Sequence, residues 1–130
     1  MTQSASRRQS GFAAHPGYRV DFEPAPGRVT VTLGGVAIAD SARAMVLRET
    51  AHDLVYYFPR EDVRMDLATP SAHSTFCPFK GDASYWSIEA GGRRAENAMW
   101  SYEDPFDETA SIRDYVAFYP DRVDAITPSA

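Results

Sequence analysis

The strongest constraint in this sequence is the run at residues 28–33 and the glycine pair that ends it. Val29, Val31 and Leu33 alternate with Arg28, Thr30 and Thr32, the period of a strand with one buried face. A helix would scatter the same residues around its circumference. Gly34 and Gly35 can both take the positive φ angles of a two-residue hairpin turn, and residues 36–39 form the returning strand. A second pair, Gly91 and Gly92, stands between strand-like segments at 83–89 and 95–102 and marks a second hairpin.

The rest of the chain follows the same pattern. Residues 18–22 alternate until Pro24, Pro26 and Gly27 interrupt them. Residues 42–49 mix helix-favouring Ala, Met and Leu with a strand period at Met45, Leu47 and Glu49, and are read as a strand. A strand at 54–58 stops at Pro59, and 61–63 reads as a single turn. Residues 68–81 hold two prolines, several hydroxyl residues and no period, which predicts a long loop or an extended crossing. Asp107 is expected to cap a short helix over 108–113. Strands at 115–119 and 123–126 close the chain. The expected fold is mainly β, a single compact antiparallel β-sandwich or barrel of about seven to nine short strands with one or two short helices.

A chain of 130 residues buries roughly 65 to 70% of its unfolded surface, enough for one core. Residues 1–13, rich in Ser and Arg with no apolar period, read as a disordered tail before a single domain at 14–130. The net charge of −5, with no basic block to displace phosphate counterions, argues against nucleic acid. No apolar run approaches the ~20 residues of a membrane span, and the opening residues lack the order of a signal peptide, so the expected location is cytoplasmic with no membrane partner. Cys77 is the single cysteine and cannot form an intramolecular disulfide; zinc would depend on His15, His52 and His73, and no metal is expected.

The segment Thr75-Phe76-Cys77-Pro78-Phe79-Lys80-Gly81-Asp82-Ala83-Ser84-Tyr85-Trp86 resembles the bacterial family DUF427, also labelled a nucleotidyltransferase-like domain. Gly27-Arg28-Val29, Val46-Leu47-Arg48-Glu49, Tyr56-Tyr57-Phe58-Pro59, Trp100-Ser101-Tyr102 and Val116-Ala117-Phe118-Tyr119 follow that family's order of features over roughly residues 15–127. The resemblance implies a compact β-rich domain and no particular reaction. The chain has neither G-x-x-x-x-G-K-[ST] nor a glycine-rich turn opening a helix, and Gly81 follows the lysine.

The chemistry concentrates in the segment from Thr75 to Asp82. Lys80 is the one lysine in a chain with twelve arginines, a compact ammonium where guanidinium is the rule. It suits an anionic or carbonyl-bearing ligand, or a loop-tethering ion pair with Asp82 or Glu49. Cys77 is either a nucleophile assisted by Lys80 or a packed apolar residue. Glu49 ends an apolar stretch at the family's acidic position, where a carboxylate pairs with a cation or works as an acid or base. Lys80, Cys77, Glu49 and Asp82 are the candidate catalytic residues; Thr75, Lys80, Tyr85, Trp100 and Tyr102 are the candidate ligand contacts. Glu103, Asp104, Asp107 and Glu108 read as a solvated turn and cap in preference to a Mg²⁺ site. Two functions remain open: a small-molecule-binding domain, with or without catalysis and with no cofactor indicated, or a noncatalytic interaction module or homodimer in which the 75–82 loop is structural.

Overall fold

The computed structural model describes residues 10–129. Ten strands run β1 (Val20–Pro24), β2 (Val29–Leu33), β3 (Val36–Ser41), β4 (Met45–Glu49), β5 (Val55–Tyr57), β6 (Ala68–Cys77), β7 (Gly81–Ala90), β8 (Arg93–Ser101), β9 (Val116–Phe118) and β10 (Ala125–Pro128). They form three antiparallel sheets, β1-β4-β5, β10-β2-β3 and β6-β7-β8-β9. The fold is mainly β and sandwich-like. It is not a closed barrel, since the edge strands β1 and β6 do not pair with each other.

Both diglycine hairpins form, and their tips pack on each other. Gly34 and Gly35 have φ of 59° and 79°, Gly91 and Gly92 of 56° and 79°. A Cβ on Gly34 would lie 2.2 Å from the Ala90 carbonyl oxygen, and one on Gly91 would lie 1.9 Å from that of Gly34. Gly35 and Gly92 face open space and need glycine only for their backbone angle.

Phe58 and Val116 form a bridge that links β5 to β9, so the first and third sheets continue into one another. Next to this junction β4, β5, β7, β8 and β9 bury residues on both faces, while the outer strands β1 and β6 stay largely exposed. Val46, Trp86, Ile88, Met99, Val116 and Phe118 join Val29, Val31 and Leu33 in the main core. Their neighbours Leu47, Tyr57, Ala83, Tyr85 and Ala117 point the other way, into a second cluster. Strict alternation between two cores is what places the tyrosines of β5, β7 and the segment after β9 around a common space.

Two local expectations are corrected. Residues 68–77 are a ten-residue strand, not a loop. It is an edge strand, exposed along most of its length, so it has no buried face to print a period, and its register slips between Pro70 and Ser74. Proline is tolerated at such an edge. Asp107 caps no helix: Asp107–Ile112 is a kinked 3₁₀ segment preceded by Phe106, with no side-chain cap. The buried Thr109 hydroxyl instead donates to the carbonyls of Phe79 and Phe106. Of the expected tail, residues 1–9 lie outside the described residues; Gly11 N donates to the Pro78 carbonyl at 2.7 Å, and Phe12 packs edge-on against Phe79 at 5.0 Å.

Candidate functional site

The second cluster opens into a cavity of about 720 Å³. β4 supplies its acidic wall. Met45 and Leu47 point inward with period 2, and Glu49 is the next residue on that face, so a carboxylate occupies a position where the pattern calls for an apolar side chain. The turn between β6 and β7 supplies the cation. Lys80 N donates to the Cys77 carbonyl at 3.3 Å, and Phe106 N to the Lys80 carbonyl at 3.2 Å. Gly81, at φ 110°, releases the chain into β7.

Lys80 Nζ donates to Glu49 Oε1 at 2.7 Å, with the two side chains only 7% and 8% exposed. The other carboxylate oxygen accepts the Tyr18 hydroxyl. His52 Nε2 lies 3.9 Å from that oxygen, its ring largely in solvent. Tyr18 reaches Glu49 because its ring stacks on Phe79 at 3.8 Å and 9°, clamping the segment before β1 onto the turn that carries Lys80. The Tyr102 ring lies 5.8 Å from Nζ, within reach of a cation–π attraction.

The remaining walls are aromatic. Trp100 packs on Tyr119 at 4.5 Å and donates its indole N–H to the Tyr57 hydroxyl at 3.3 Å. Tyr85 joins a hydroxyl chain, with Thr75 Oγ1 at 3.0 Å and Tyr119 OH at 3.2 Å. Burial first, then the hydrogen bond to Glu49 and its charge, hold the Tyr18 phenol well above the ordinary tyrosine range. Burial does the same for Tyr57 and Tyr102, and burial with the Tyr85 hydrogen bond pushes Tyr119 up to about 12. At neutral pH these phenols are therefore uncharged.

Of the residues singled out in the sequence, Lys80, Glu49, Cys77, Tyr85, Trp100 and Tyr102 line this one cavity. Thr75 touches it through Tyr85. Asp82 does not line it: on β7 it occupies an exposed position paired with Phe76, so the expected cluster of Glu49, Lys80 and Asp82 reduces to the first two. Cys77 is half-buried at the cavity wall. Lys80 is 6% exposed, and of the two tethering partners expected for it, Asp82 and Glu49, it pairs with Glu49. His73 is exposed on β6 with its ring against Tyr85. Glu103 pairs with Arg60 and Asp104 with Arg113, and among the described residues no three His, Cys, Asp or Glu side chains gather as metal ligands. Tyr18 and Tyr119 are site residues that the sequence does not single out; no local signal marks Tyr18, because its role depends on Phe79 and Glu49 lying beside it in space.

No curated protein gives a significant match to the chain. Residues 21–129 match the model of a family described as a domain of unknown function, DUF427. That span holds Glu49, Lys80 and the aromatic walls, while Tyr18 precedes it. The protein is a member of the DUF427 family.

Proposed function

We propose that the chain binds a small, largely apolar molecule bearing a carbonyl group in the cavity between β4 and the β6–β7 turn. The observation that carries this reading is the self-neutralised Lys80–Glu49 pair inside an aromatic enclosure. A volume of about 720 Å³ is of ligand size, and ligand sites combine mostly apolar walls with a few fixed polar groups. An ammonium has three donors, and Glu49 takes one, which leaves donors for an acceptor that brings no charge. A carboxylate or phosphate ligand would instead meet Glu49 as a like charge. Leu54 and Phe76, 42% and 39% exposed, line the same cavity and offer an apolar approach to it.

Acetophenone and benzoate have the same ring and differ in charge, so they test the reading directly. Acetophenone is expected to change tryptophan emission saturably, with the change lost in Trp100→Phe, since Trp86 lies in the other core. Benzoate is expected to bind at least about tenfold more weakly, a difference of ~1.4 kcal/mol. Equal or tighter binding of benzoate, or no saturable change with either compound, would overturn the proposal.

A further inference from the structure

We infer that Lys80 forms a reversible iminium with an aldehyde or ketone held in this cavity, with Glu49 carrying the protons; the inference rests on the cavity being a ligand site. The residue choice points that way. Among the described residues the surface ion pairs use arginine as the cation, and the buried pair uses the single lysine of the chain. For a purely structural pair a guanidinium serves as well and binds a carboxylate with two parallel donors. What an ammonium adds is the capacity to become a neutral amine, which arginine effectively never does.

The surroundings fit the chemistry. The Lys80 backbone is tied on both sides, to Cys77 and to Phe106. Glu49 is fixed through Oε2 by Tyr18, and its Oε1 rests on Nζ at 2.7 Å, within range for direct proton transfer. Glu49 takes one proton from the ammonium, and the amine lone pair attacks the carbonyl carbon. The attacking nitrogen, now cationic, passes a second proton to the carbonyl oxygen, giving a neutral carbinolamine. The protonated Glu49 then donates to that hydroxyl, the C–O bond breaks, and water leaves as the nitrogen lone pair forms the C=N bond. Two of the three ammonium protons depart in the water and one stays on nitrogen. The iminium carries the same single positive charge as the ammonium it replaces and again faces the Glu49 carboxylate, so the buried charge balance is the same at both ends of the step.

The full chain is incubated with benzaldehyde and sodium cyanoborohydride, a hydride donor that converts iminium to a stable benzylamine, and the products are mapped by peptide mass. Lys80 is expected to be benzylated at least tenfold faster than the chain's α-amino group, and excess acetophenone, a ketone whose own capture gives a 1-phenylethyl adduct of distinct mass, is expected to slow benzylation of Lys80 alone. Glu49→Gln is expected to lower the Lys80 rate tenfold or more. The wild-type rate ratio needs no variant and decides by itself. Benzylation of Lys80 no faster than that of the α-amino group, with acetophenone still binding, would refute the iminium and leave the binding reading intact. Failure of acetophenone to bind would refute that reading separately.

Discussion

Replacing Glu49 by leucine probes the energetics of the site most sharply. Nζ of Lys80 is desolvated, and among the described residues Glu49 is the carboxylate within ion-pair distance of it. Glu49→Leu leaves that ammonium buried and unpaired, a change that costs ~3–5 kcal/mol in well-shielded sites. The cavity is open to water on one side, so the lower end applies, about 3 kcal/mol. With a urea dependence of ~1.5 kcal/mol per molar for a domain of this size, the unfolding midpoint should fall by about 2 M. Lys80→Met should cost less, about 2 kcal/mol, because the stranded carboxylate keeps the Tyr18 hydroxyl. The double variant Lys80→Met/Glu49→Leu should be more stable than Glu49→Leu alone, since no lone charge remains. Urea unfolding followed by circular dichroism measures all three. Single-variant costs below ~1 kcal/mol that simply add in the double variant would show a solvent-screened pair and refute the reasoning.

Three further outcomes follow from the geometry. Gly34→Ala and Gly91→Ala should each lose ~2–5 kcal/mol in thermal unfolding, combining left-handed strain with overlap on the opposite hairpin, whereas Gly35→Asn and Gly92→Asn should lose under about 1 kcal/mol. The tyrosine contribution to stability should hold up to the ordinary tyrosine value of about 10 and then fall, because Tyr57, Tyr102 and Tyr119 ionise in the unfolded chain before they do in the folded one. The raised phenols thus contribute stability that is present below about pH 10 and lost above it, at up to ~1.4 kcal/mol per pH unit for each fully buried ring, readable as urea midpoints against pH. Cys77, half-buried at the cavity wall, should react with a small thiol reagent in the native protein, and saturating acetophenone should slow that reaction severalfold; labelling unaffected by acetophenone would separate the thiol from the ligand space.

What could be read from the sequence was whatever a single face or a single turn dictates. Val29, Val31 and Leu33 are all fully buried, as their alternation with polar residues requires, and each diglycine makes the hairpin its chemistry favours. β6 was illegible because an edge strand with exposed residues along most of its length has no contrast between its faces. β4, β5 and β9 show little contrast for the opposite reason, since Val46 and Leu47, or Tyr56 and Tyr57, enter different cores from adjacent positions. The site divides the same way. Lys80 stood out as the single lysine and Glu49 as an acid on an apolar face, but they lie 31 residues apart, as do Tyr18 and Glu49. Their meeting depends on how the first and third sheets join through Phe58 and Val116, which no spacing in the chain encodes. Asp82 carried the same sequence signal as Glu49 and faces away because β7 puts it on the opposite parity to Ala83 and Tyr85.

The single lysine permits one direct measurement of the central claim, that a desolvated Lys80–Glu49 pair forms the polar wall of a ligand cavity. Protein made with heavy-nitrogen lysine should show one side-chain ammonium resonance by nuclear magnetic resonance. The account predicts that its protons exchange slowly with water, being held by Glu49 in a shielded site, and that acetophenone shifts the resonance saturably at the concentrations that change Trp100 emission. An ammonium exchanging as fast as free lysine, and unmoved by acetophenone, would contradict it.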